Sequence, residues 1–429
     1  MASARGASVR KLRPEDWPLW RELRLRALAD APDAFAETLT EARARDDEGW
    51  RALFVARPDV AQFVAEHAGA PAGMAVAVID PDDPARANLY AMWVAPEARG
   101  RGLGRALVDA ALRWTRGQAA LELSLRVADG NDAARALYAG RGFRDTGEQR
   151  PLRDDGGIQS RTMAIRQPPL VMGVVNVTPD SFSDGGRFLQ AAAAIDHGLA
   201  LVGDGADLID IGGEATNPRA IPIDAREELR RVLPVIEGLT AAGATVSIDT
   251  TKAEVARAAV LAGASIVNDV SGGLFDPAMA AALAGLDATY IAGHLRGATI
   301  AEVFAAERPV AWTDVIAELE QRLAALPPAV RARAWVDPGL GFGKGADPEA
   351  NLELLRRAGD LRRAVRRPVI VGPSRKRFLR RLVGGEPSVA ALDAATIAAC
   401  LGAVRGGAQV LRVHNVALLR AALAVYTKM

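Results

Sequence analysis

Eight short apolar runs in the C-terminal part of the chain are each followed by polar or charged residues. These residues are Asn176, Gly212-Gly213-Glu214, Asp249, Asn268-Asp269, His294, Asp337, Ser374-Arg375-Lys376, and Arg412 with His414. Any one of them alone is most simply a turn or a helix cap. Buried parallel strands are otherwise apolar, and their carboxyl ends meet at one face of a barrel. Polar residues at all eight ends therefore predict one shared site for a charged ligand.

Lysine is rare in this chain: only five of the 53 basic residues are lysines. Three of them, Lys252, Lys344 and Lys376, follow predicted strands. An ammonium group is a compact point charge, whereas guanidinium is a planar fork. We therefore treat these three lysines as candidate site residues. The alternatives are chance placement and, for Lys252, a surface position at the start of a helix.

The elements that must position these residues alternate regularly. Stretches with helical spacing, such as Ala253–Leu261 and residues 350–358, separate the apolar runs. The runs are residues 170–175, 207–211, 245–248, 265–267, 288–291, 334–336, 369–371 and 409–413. Eight strand–helix units over this length predict a (β/α)8 barrel in an α/β protein. A doubly wound open sheet is the alternative.

Composition and one linker predict the domain division, the class of protein and the kind of partner. The 429 residues suggest two domains, and Gln167-Pro168-Pro169 interrupts both helix and strand, so we predict domains at residues 1–166 and 167–429. The net charge of +1 argues against a nucleic-acid partner. The sequence has no long uncharged apolar run and a single cysteine, Cys400. We therefore expect a cytoplasmic enzyme with no membrane partner, no disulfide framework and no cysteine-rich metal site.

The C-terminal motifs resemble those of the dihydropteroate synthases along the whole of residues 168–429. The resemblance begins with Gly173-Val-Val-Asn-Val-Thr-Pro-Asp-Ser-Phe-Ser-Asp-Gly-Gly186. It continues through six further motifs, which are Ile211–Thr216, Ser247–Lys252, Asn268-Asp269, Asp337-Pro-Gly-Leu-Gly-Phe-Gly-Lys344, Gly372–Lys376 and Arg412–His414. It implies the condensation of p-aminobenzoate with a dihydropterin hydroxymethyl pyrophosphate, Mg²⁺ as cofactor, and a homodimer formed through the barrel.

The resemblance also implies a role for each site residue. Lys376 and Asp184, which lies in a Ser-, Asp- and Gly-rich lid, would be catalytic. The pterin would contact Asp249, Asn268, Asp337 and Lys376, and the pyrophosphate would contact Asn176, Thr216, Arg412 and His414. The p-aminobenzoate would contact Phe182, Pro218, Phe342 and Ser374, and Asn176 would also bind the metal. The residue types suit these ligands, since carboxylates and amides accept hydrogen bonds from a pterin edge and cations bind pyrophosphate.

Two departures from the family pattern follow the second strand. Where the family usually reads Gly-Glu-Ser-Thr-Arg-Pro-Gly, this chain has Ala215 for the serine and Asn217 for the arginine, with an arginine at position 219. We expect synthase activity to be retained. The related pterin-binding methyltransferases are the alternative, although that class should lack the lid motif and the Ser374-Arg375-Lys376 motif.

A glycine-rich turn in the N-terminal part opens a helix after a strand. Arg99-Gly-Arg-Gly-Leu-Gly104 follows the apolar run at residues 89–94, and backbone N–H groups at such a helix start bind anions. A dinucleotide fingerprint would need glycine where Arg105 stands. The turn and the later Asn131-x-x-Ala134-x-x-Leu137-Tyr138 motif instead resemble the GNAT superfamily of N-acetyltransferases over residues 7–166.

This second resemblance implies a site for acetyl-CoA, with Tyr138 as the acid that protonates the thiolate. The cofactor would contact Val94, Arg99, Gly100, Arg101, Gly102, Leu103, Gly104, Arg105 and Asn131. The alternatives are a packed core tyrosine at position 138 and a non-catalytic CoA-binding or interaction module. The fusion itself suggests an arylamine related to p-aminobenzoate or a sulfonamide as the acetyl acceptor.

Overall fold

The protein consists of two compact units, residues 1–167 and residues 168–429. The computed structural model describes residues 7–54, 57–153, 157–178, 187–216, 221–305, 308–344 and 348–428, with the backbone alone for residues 187–190. Each unit has its own hydrophobic core. The two units are therefore described separately.

The N-terminal unit is a seven-stranded sheet with helices packed on it. Its strands are β1 (Ala7–Lys11), β2 (Val60–His67), β3 (Ala70–Ile79), β4 (Arg86–Val94), β5 (Glu122–Ala128), β6 (Arg144–Pro151) and β7 (Gln159–Arg166). Its helices are α1 (Trp17–Asp30), α2 (Leu39–Ala44), α3 (Asp47–Ala52), α4 (Leu103–Gly117) and α5 (Asp132–Ala139). The strand order is β1-β2-β3-β4-β5-β7-β6, and β4 pairs parallel to β5.

The parallel β4–α4–β5 unit positions the glycine-rich turn. Helix α4 has an apolar face, with Leu103, Leu107, Val108 and Ala111 buried against the sheet, as its spacing predicts. Strand β4 departs from regular geometry at Ala91, whose φ is +51°, and its register with β3 shifts nearby. A positive φ is strained for alanine. The strand therefore changes direction just before the turn that starts α4.

The C-terminal unit is an eight-stranded parallel barrel. Its strands are β8 (Leu170–Asn176), β9 (Leu208–Gly212), β10 (Val246–Asp249), β11 (Ile266–Asp269), β12 (Thr289–Gly293), β13 (Ala334–Asp337), β14 (Ile370–Val371) and β15 (Val410–Val413). The eight strands lie in the order β13-β12-β11-β10-β9-β8-β15-β14, and neighbours in this order form seven hydrogen-bonded pairs. A parallel bridge between Val336 and Val369 joins the two ends. The barrel prediction is confirmed, and the open-sheet alternative is excluded.

Helices surround the barrel strands. They are α6 (Arg187–Gly203), α7 (Ala225–Ala241), α8 (Ala253–Leu261), α9 (Met279–Leu283), α10 (Ile300–Ala305), α11 (Trp312–Ala325), α12 (Pro328–Arg331), α13 (Pro348–Arg356), α14 (Ala358–Val365), α15 (Arg377–Val383), α16 (Val389–Gly406) and α17 (Val416–Tyr426). Among the described residues, α16 alone is long and apolar enough to cross a membrane by length and composition. In the fold, it packs against α13, α15 and α17.

Candidate active sites

Arg412 links two strands at the mouth of the barrel. It lies on β15, and its Nε donates to Asp210 Oδ2 at 2.6 Å while its Nη2 donates to Asp249 Oδ2 at 2.7 Å. Asp210 is fully buried on β9, and Asp249 ends β10. Burying charge is costly unless the charges are paired and hydrogen-bonded. The guanidinium thus holds two acids together, and Nη1 takes part in neither contact.

The pKa values at this cluster reflect burial and mutual charge. Burial raises the pKa of Asp249 to about 7, although Arg412 opposes this shift and Asp210 adds to it. Burial would lower the pKa of Arg412, but Asp210 and Asp249 outweigh it and raise that pKa overall. Burial also raises the pKa of Asp337 at the end of β13. The mouth therefore contains acids whose protonation a bound ligand can change.

Asn268 belongs to the same cluster. Its Nδ2 donates to Asp210 Oδ2 at 3.0 Å, so this oxygen accepts from both Asn268 and Arg412. Strand-end position did not reveal Asp210, because it lies inside β9. A single acid within the apolar run Leu208–Gly212 was the available signal, since buried parallel strands are otherwise apolar.

Lys376 lies over the ring of Phe342. Its Nζ is 4.0 Å from the ring centroid, which is cation–π geometry. Burial, followed by the charge of Arg412, lowers the pKa of Lys376 to about 8. A β-carbon added at Gly341, whose φ is +76°, would lie 3.3 Å from Lys376 Cδ. The loop after β13 thus packs directly on this lysine.

Ser374 and His414 contact each other across neighbouring strands. Ser374 Oγ is 2.9 Å from His414 Nδ1, and the backbone N–H of His414 donates to the same oxygen at 3.3 Å. Burial, followed by the charge of Arg412, lowers the pKa of His414 to about 4. The ring is therefore neutral at pH 7. If the serine hydroxyl donates to Nδ1, the ring proton is on Nε2, where it can be donated to a ligand.

Lys344 is a buried lysine that the sequence singled out and that organises the β13 loop. Its Nζ donates to Gly339 O at 2.8 Å and His294 O at 3.2 Å, and it lies 3.1 Å from His294 Nδ1. Burial lowers the pKa of Lys344 to about 7. On its other side, His294 Nε2 lies 3.0 Å from Glu318 Oε2. These contacts fix the loop that contains Phe342.

Lys252 is not a free surface residue. Its ammonium contacts Glu214 in the loop after β9 and Glu228 Oε2 on α7, the latter at 2.6 Å. Glu228 is fully buried, and no local sequence signal marked it. This pair of ionic contacts fixes the segment that ends at Thr216.

The remaining predicted residues are placed as follows. Asn176 is exposed at the end of β8, and Thr216 is half-buried at the end of the described β9 loop. Asp184, Phe182, Pro218 and Asn217 lie outside the described residues. The structure brings Asp249, Asn268, Lys376, Arg412 and their partners to one end of the barrel, because all follow or end parallel strands.

The glycine-rich turn of the N-terminal unit presents backbone N–H groups at the start of α4. Gly100 and Gly102 have φ values of +75° and +84°, and Gly102 is the N-cap residue, without a side-chain cap. The first N–H groups of a helix lack partners within the helix. Arg99 stabilises the turn, since its Nε donates to Val94 O at 3.0 Å and its Nη2 contacts Asp30. The turn therefore fits an anion such as a pyrophosphate.

A cavity of about 780 Å³ lies against this turn. Its wall includes eight of the nine predicted cofactor residues, namely Val94, Arg99, Gly100, Gly102, Leu103, Gly104, Arg105 and Asn131, and also Tyr138. The ninth, Arg101, contacts His67 Nε2 at 3.0 Å. Asn131 also caps α5, because its Oδ1 accepts from Ala134 N. We call this space the first cavity.

Tyr138 is both packed and in the wall of the first cavity. Its exposed fraction is 6 %, and its ring centroid is 5.9 Å from that of Phe143. Burial raises its pKa, so the hydroxyl stays protonated at neutral pH. The two interpretations of this residue, core packing and a proton donor, are therefore compatible.

A closed parallel barrel with a charged mouth defines an enzyme of the α/β barrel class, and the N-terminal unit adds a glycine-rich turn suited to an anion. Residues 172–414 match the family described as pterin binding enzyme, and residues 17–143 match the acetyltransferase (GNAT) family. The chain belongs to the pterin-binding enzyme family as a dihydropteroate synthase, a transferase, and it carries an N-terminal GNAT domain.

Relatives of this chain include dihydropteroate synthases and folate synthesis bifunctional proteins. The chain is 45 % identical over 263 residues to the dihydropteroate synthase of Mycobacterium leprae. This match covers 58 % of this chain and 89 % of that protein. It is 40 % identical to a mitochondrial folate synthesis bifunctional protein of Pisum sativum, of which it spans 50 %. The structure of Xanthomonas albilineans dihydropteroate synthase with 4-aminobenzoic acid superposes with a TM-score of 0.55 at 42 % identity, covering 62 % of this chain and 94 % of that one.

Proposed function

We propose that the barrel joins p-aminobenzoate to a dihydropterin hydroxymethyl pyrophosphate and releases pyrophosphate. The observation that carries this proposal is the cluster in which Arg412 connects Asp210, Asp249 and, through Asp210, Asn268. A carboxylate and an amide oxygen match the N–H donors of a pterin edge, and a guanidinium matches a phosphate. Lys376 supplies a nearby ammonium.

The residues divide between the three parts of the substrates. Asp249, Asn268, Asp337 and Lys376 bind the pterin. Arg412 through Nη1, His414 through Nε2, Asn176 and Thr216 bind the pyrophosphate. Phe342 and Ser374 bind p-aminobenzoate, together with Phe182 and Pro218. Lys376 and Asp184 are the catalytic residues of the barrel.

The reaction exchanges one bond to the pterin methylene carbon for another. The bond from this carbon to the pyrophosphate oxygen breaks, and the electron pair leaves with the pyrophosphate. The amine nitrogen of p-aminobenzoate then forms the new bond and releases a proton. Because the methylene group is cationic between these events, the protein contributes electrostatic stabilisation more than a strong base.

Mg²⁺ fits this site as a partner of the substrate. The described residues contain no group of three or more His, Cys, Asp or Glu side chains suited to a metal ion. Asn176 offers an amide oxygen at the exposed end of β8. Mg²⁺ commonly takes few protein ligands and several from water and substrate phosphates. When bound, it would neutralise charge on the leaving pyrophosphate.

The test uses the purified chain with both substrates and Mg²⁺. Dihydropteroate and pyrophosphate should form in equal amounts. Arg412→Gln should lower kcat/KM by roughly tenfold to a hundredfold, because hydrogen bonds to charged groups contribute about 1.5–3 kcal/mol. Arg405→Gln, on the exposed end of α16, is the matched control. No dihydropteroate from the wild-type protein would refute the proposal.

We propose that the N-terminal unit transfers an acetyl group from acetyl-CoA to an amine. The first cavity, with the α4 N–H groups at one side and Tyr138 in its wall, supports this proposal. The pyrophosphate of CoA would bind the turn, and the Tyr138 hydroxyl would protonate the departing thiolate. Calorimetric titration with CoA tests the binding, and no heat of binding would refute it.

We propose that the barrel forms a homodimer. Neighbouring helices α15, α16 and α17 expose large apolar side chains, including Leu382, Val389, Leu418 and Val425. Exposed apolar patches mark interaction surfaces. Light scattering should give twice the chain mass of 45.2 kDa. A monomer mass at micromolar concentration would refute this arrangement.

A further inference from the structure

A second cavity of about 550 Å³ lies in the N-terminal unit beside the first. Its wall includes Ala36 and Ala91, whereas the wall of the first cavity includes their chain neighbours Phe35 and Met92. The two cavities are thus bounded by the same two chain segments, and one of these is the strained part of β4. We call this space the second cavity.

The second cavity has aromatic walls. Trp20 and Trp50 both line it, and Trp50 is fully buried. The guanidinium of Arg45 lies 4.6 Å from the ring centroid of Trp50. Indole surfaces bury large apolar area and stack on other rings. These walls favour a flat aromatic ligand.

The carboxylates in the wall are already engaged. Glu37 accepts from Arg24 Nε and from Arg45 Nη2, both at 2.8 Å. Glu41 accepts from the backbone N–H of Thr38 at 2.7 Å and from its hydroxyl at 2.8 Å, and the backbone contact is the main cause that lowers its pKa. A carboxylate with a lowered pKa is a weak base. Glu41 is therefore poorly suited to remove a proton from an alkylammonium ion, and both oxygens of Glu37 are already bound by guanidinium groups.

The positive charge around the second cavity exceeds the negative charge. Arg24 and Arg45 line the cavity together with the two glutamates, and both guanidinium groups donate to Glu37. Arg153 adds a third guanidinium, because its Nε donates to Phe35 O at 3.0 Å and to Ala36 O at 3.2 Å, and its Nη2 contacts Pro32 O. Three guanidinium groups against two carboxylates favour an anionic ligand.

Two buried donors in the cavity residues lack partners among the described residues. They are Nη1 of Arg24, a side chain that is 9 % exposed, and Nε1 of Trp50. Leaving a buried donor unsatisfied costs about 1–3 kcal/mol. Both atoms belong to residues in the wall of the second cavity.

We propose that the second cavity receives the acetyl acceptor, and that this acceptor is an arylamine that carries an anionic group. The inference rests on the proposed acetyl transfer at the first cavity. An arylamine is neutral at pH 7, so it needs no base before it attacks, and its anionic group matches the excess of arginines. Both p-aminobenzoate and a sulfonamide with an ionised sulfonamide group have this chemistry.

The transfer balances without a further reactant. The amine lone pair forms a bond to the acetyl carbonyl carbon, and the carbon–sulfur bond breaks with its electrons on sulfur. Sulfur takes a proton from the Tyr138 hydroxyl, and the proton lost by the amine nitrogen restores it through solvent. The net products are the N-acetyl arylamine and the free thiol of CoA.

The experiment compares matched amines with the full chain and acetyl-CoA. The probes are p-aminobenzoate, an ionised sulfonamide, aniline without the anionic group, and 4-(aminomethyl)benzoate with an alkylamine. Products are identified by mass spectrometry and thiol release is followed. We expect kcat/KM for at least one of the two anionic arylamines to exceed kcat/KM for both comparison amines by roughly tenfold or more. This factor corresponds to the free energy of one hydrogen bond to a charged group. The ratio of p-aminobenzoate to sulfonamide turnover distinguishes the two sources.

Arg45→Met tests the cavity itself, and Arg43→Met is the control, because Arg43 is exposed in the last turn of α2 and Arg45 is the C-cap residue of that helix. The Arg45 variant should lower kcat/KM for the anionic arylamine by roughly tenfold more than kcat/KM for aniline, because aniline lacks the group that Arg45 would bind. CoA binding by the same sample, measured by calorimetry, should be unaltered, which reports on the folding of the N-terminal unit, and dihydropteroate formation reports on the concentration of the protein.

Three results would overturn the inference. Preference for the alkylamine refutes the acceptor class, and full turnover of the anionic arylamine by the Arg45→Met variant refutes the second cavity as its binding site. In both cases CoA binding leaves the proposed acetyl transfer standing. Absence of CoA binding refutes both the acceptor proposal and the proposed acetyl transfer.

Discussion

His294 shows how a single buried residue at the barrel mouth is held in one protonation state. Burial, followed by the charge of Lys344, lowers its pKa to about 2. The neutral ring can accept from Lys344 at Nδ1 and donate from Nε2 to Glu318, which satisfies both nitrogens. The histidine thus connects the β13 loop to α11 without carrying charge.

This arrangement predicts that His294 makes the barrel sensitive to acid. Below pH 6.5 the unfolded chain takes up a proton at this histidine that the folded chain rejects, so the free energy of unfolding falls by about 1.4 kcal/mol per pH unit. His294→Gln removes this proton uptake. Between pH 7 and pH 5, the melting temperature of the wild-type barrel should fall relative to that of the variant by roughly 4–8 °C.

Differential scanning calorimetry at several pH values measures this difference. His197→Gln, at an exposed position on α6, is the control and should follow the wild-type pH profile. Parallel pH profiles for wild type and His294→Gln would contradict a neutral, buried histidine.

Position at a strand end allowed several of the clustered residues to be predicted from sequence. Asp249, Asn268 and Arg412 end or lie in parallel strands whose carboxyl ends converge. The partners that fix them were not predictable in this way. Glu228 meets Lys252 from a helix, and a helical glutamate is ordinarily a solvated residue. Long-range partners of this kind leave no local pattern.

At the scale of elements, hydrophobic spacing predicted both ends of each of the eight barrel strands to within two residues. Helix α8 has the predicted bounds, Ala253–Leu261. The prediction of one helical stretch at residues 350–358 was wrong at its end, because α13 stops at Arg356 and α14 starts at Ala358. The bend follows from packing, since Gly406 approaches the carbonyl of Leu355 too closely for any β-carbon. The spacing of apolar residues within one segment does not reveal a contact with a residue about 50 positions further along the chain.

The start of α4 gives a prediction about the glycine-rich turn. Gly102→Ala should weaken CoA binding by roughly tenfold, because a positive φ costs an alanine about 1–2 kcal/mol and shifts the N–H groups that face the ligand. Titration calorimetry with CoA measures the change. The φ of Gly102 is +84°, and a β-carbon there meets no atom within 4 Å, so steric clash is not the cause.

Gly69→Ala is the matched control for this prediction. Gly69 has φ +81° and equally open surroundings, and it lies between β2 and β3 in the same unit. Both variants should lose similar stability, and only Gly102→Ala should lose CoA affinity. Equal CoA affinity in the two variants would show that the turn does not hold the ligand.

At the scale of the whole molecule, each of the two units has a hydrophobic core of its own. One core contains residues of the N-terminal unit, such as Trp50, Leu107 and Leu123. The other contains barrel residues such as Val267 and Val371. Among the described residues, neither core includes side chains of the other unit. Such units are expected to fold independently.

Separation of the chain between Gln167 and Pro168 should therefore preserve both proposed activities. Residues 168–429 should form dihydropteroate with kcat/KM within roughly threefold of the full chain, and residues 1–167 should bind CoA with a Kd within the same factor, a difference below about 1 kcal/mol. The barrel sequence that remains matches most of a separate synthase, since this chain covers 89 % of the Mycobacterium leprae protein. Steady-state kinetics and calorimetry on the two purified fragments measure these quantities. If the barrel fragment is folded but loses most of its activity, the N-terminal unit contributes to synthesis, and the two sites do not act as independent units.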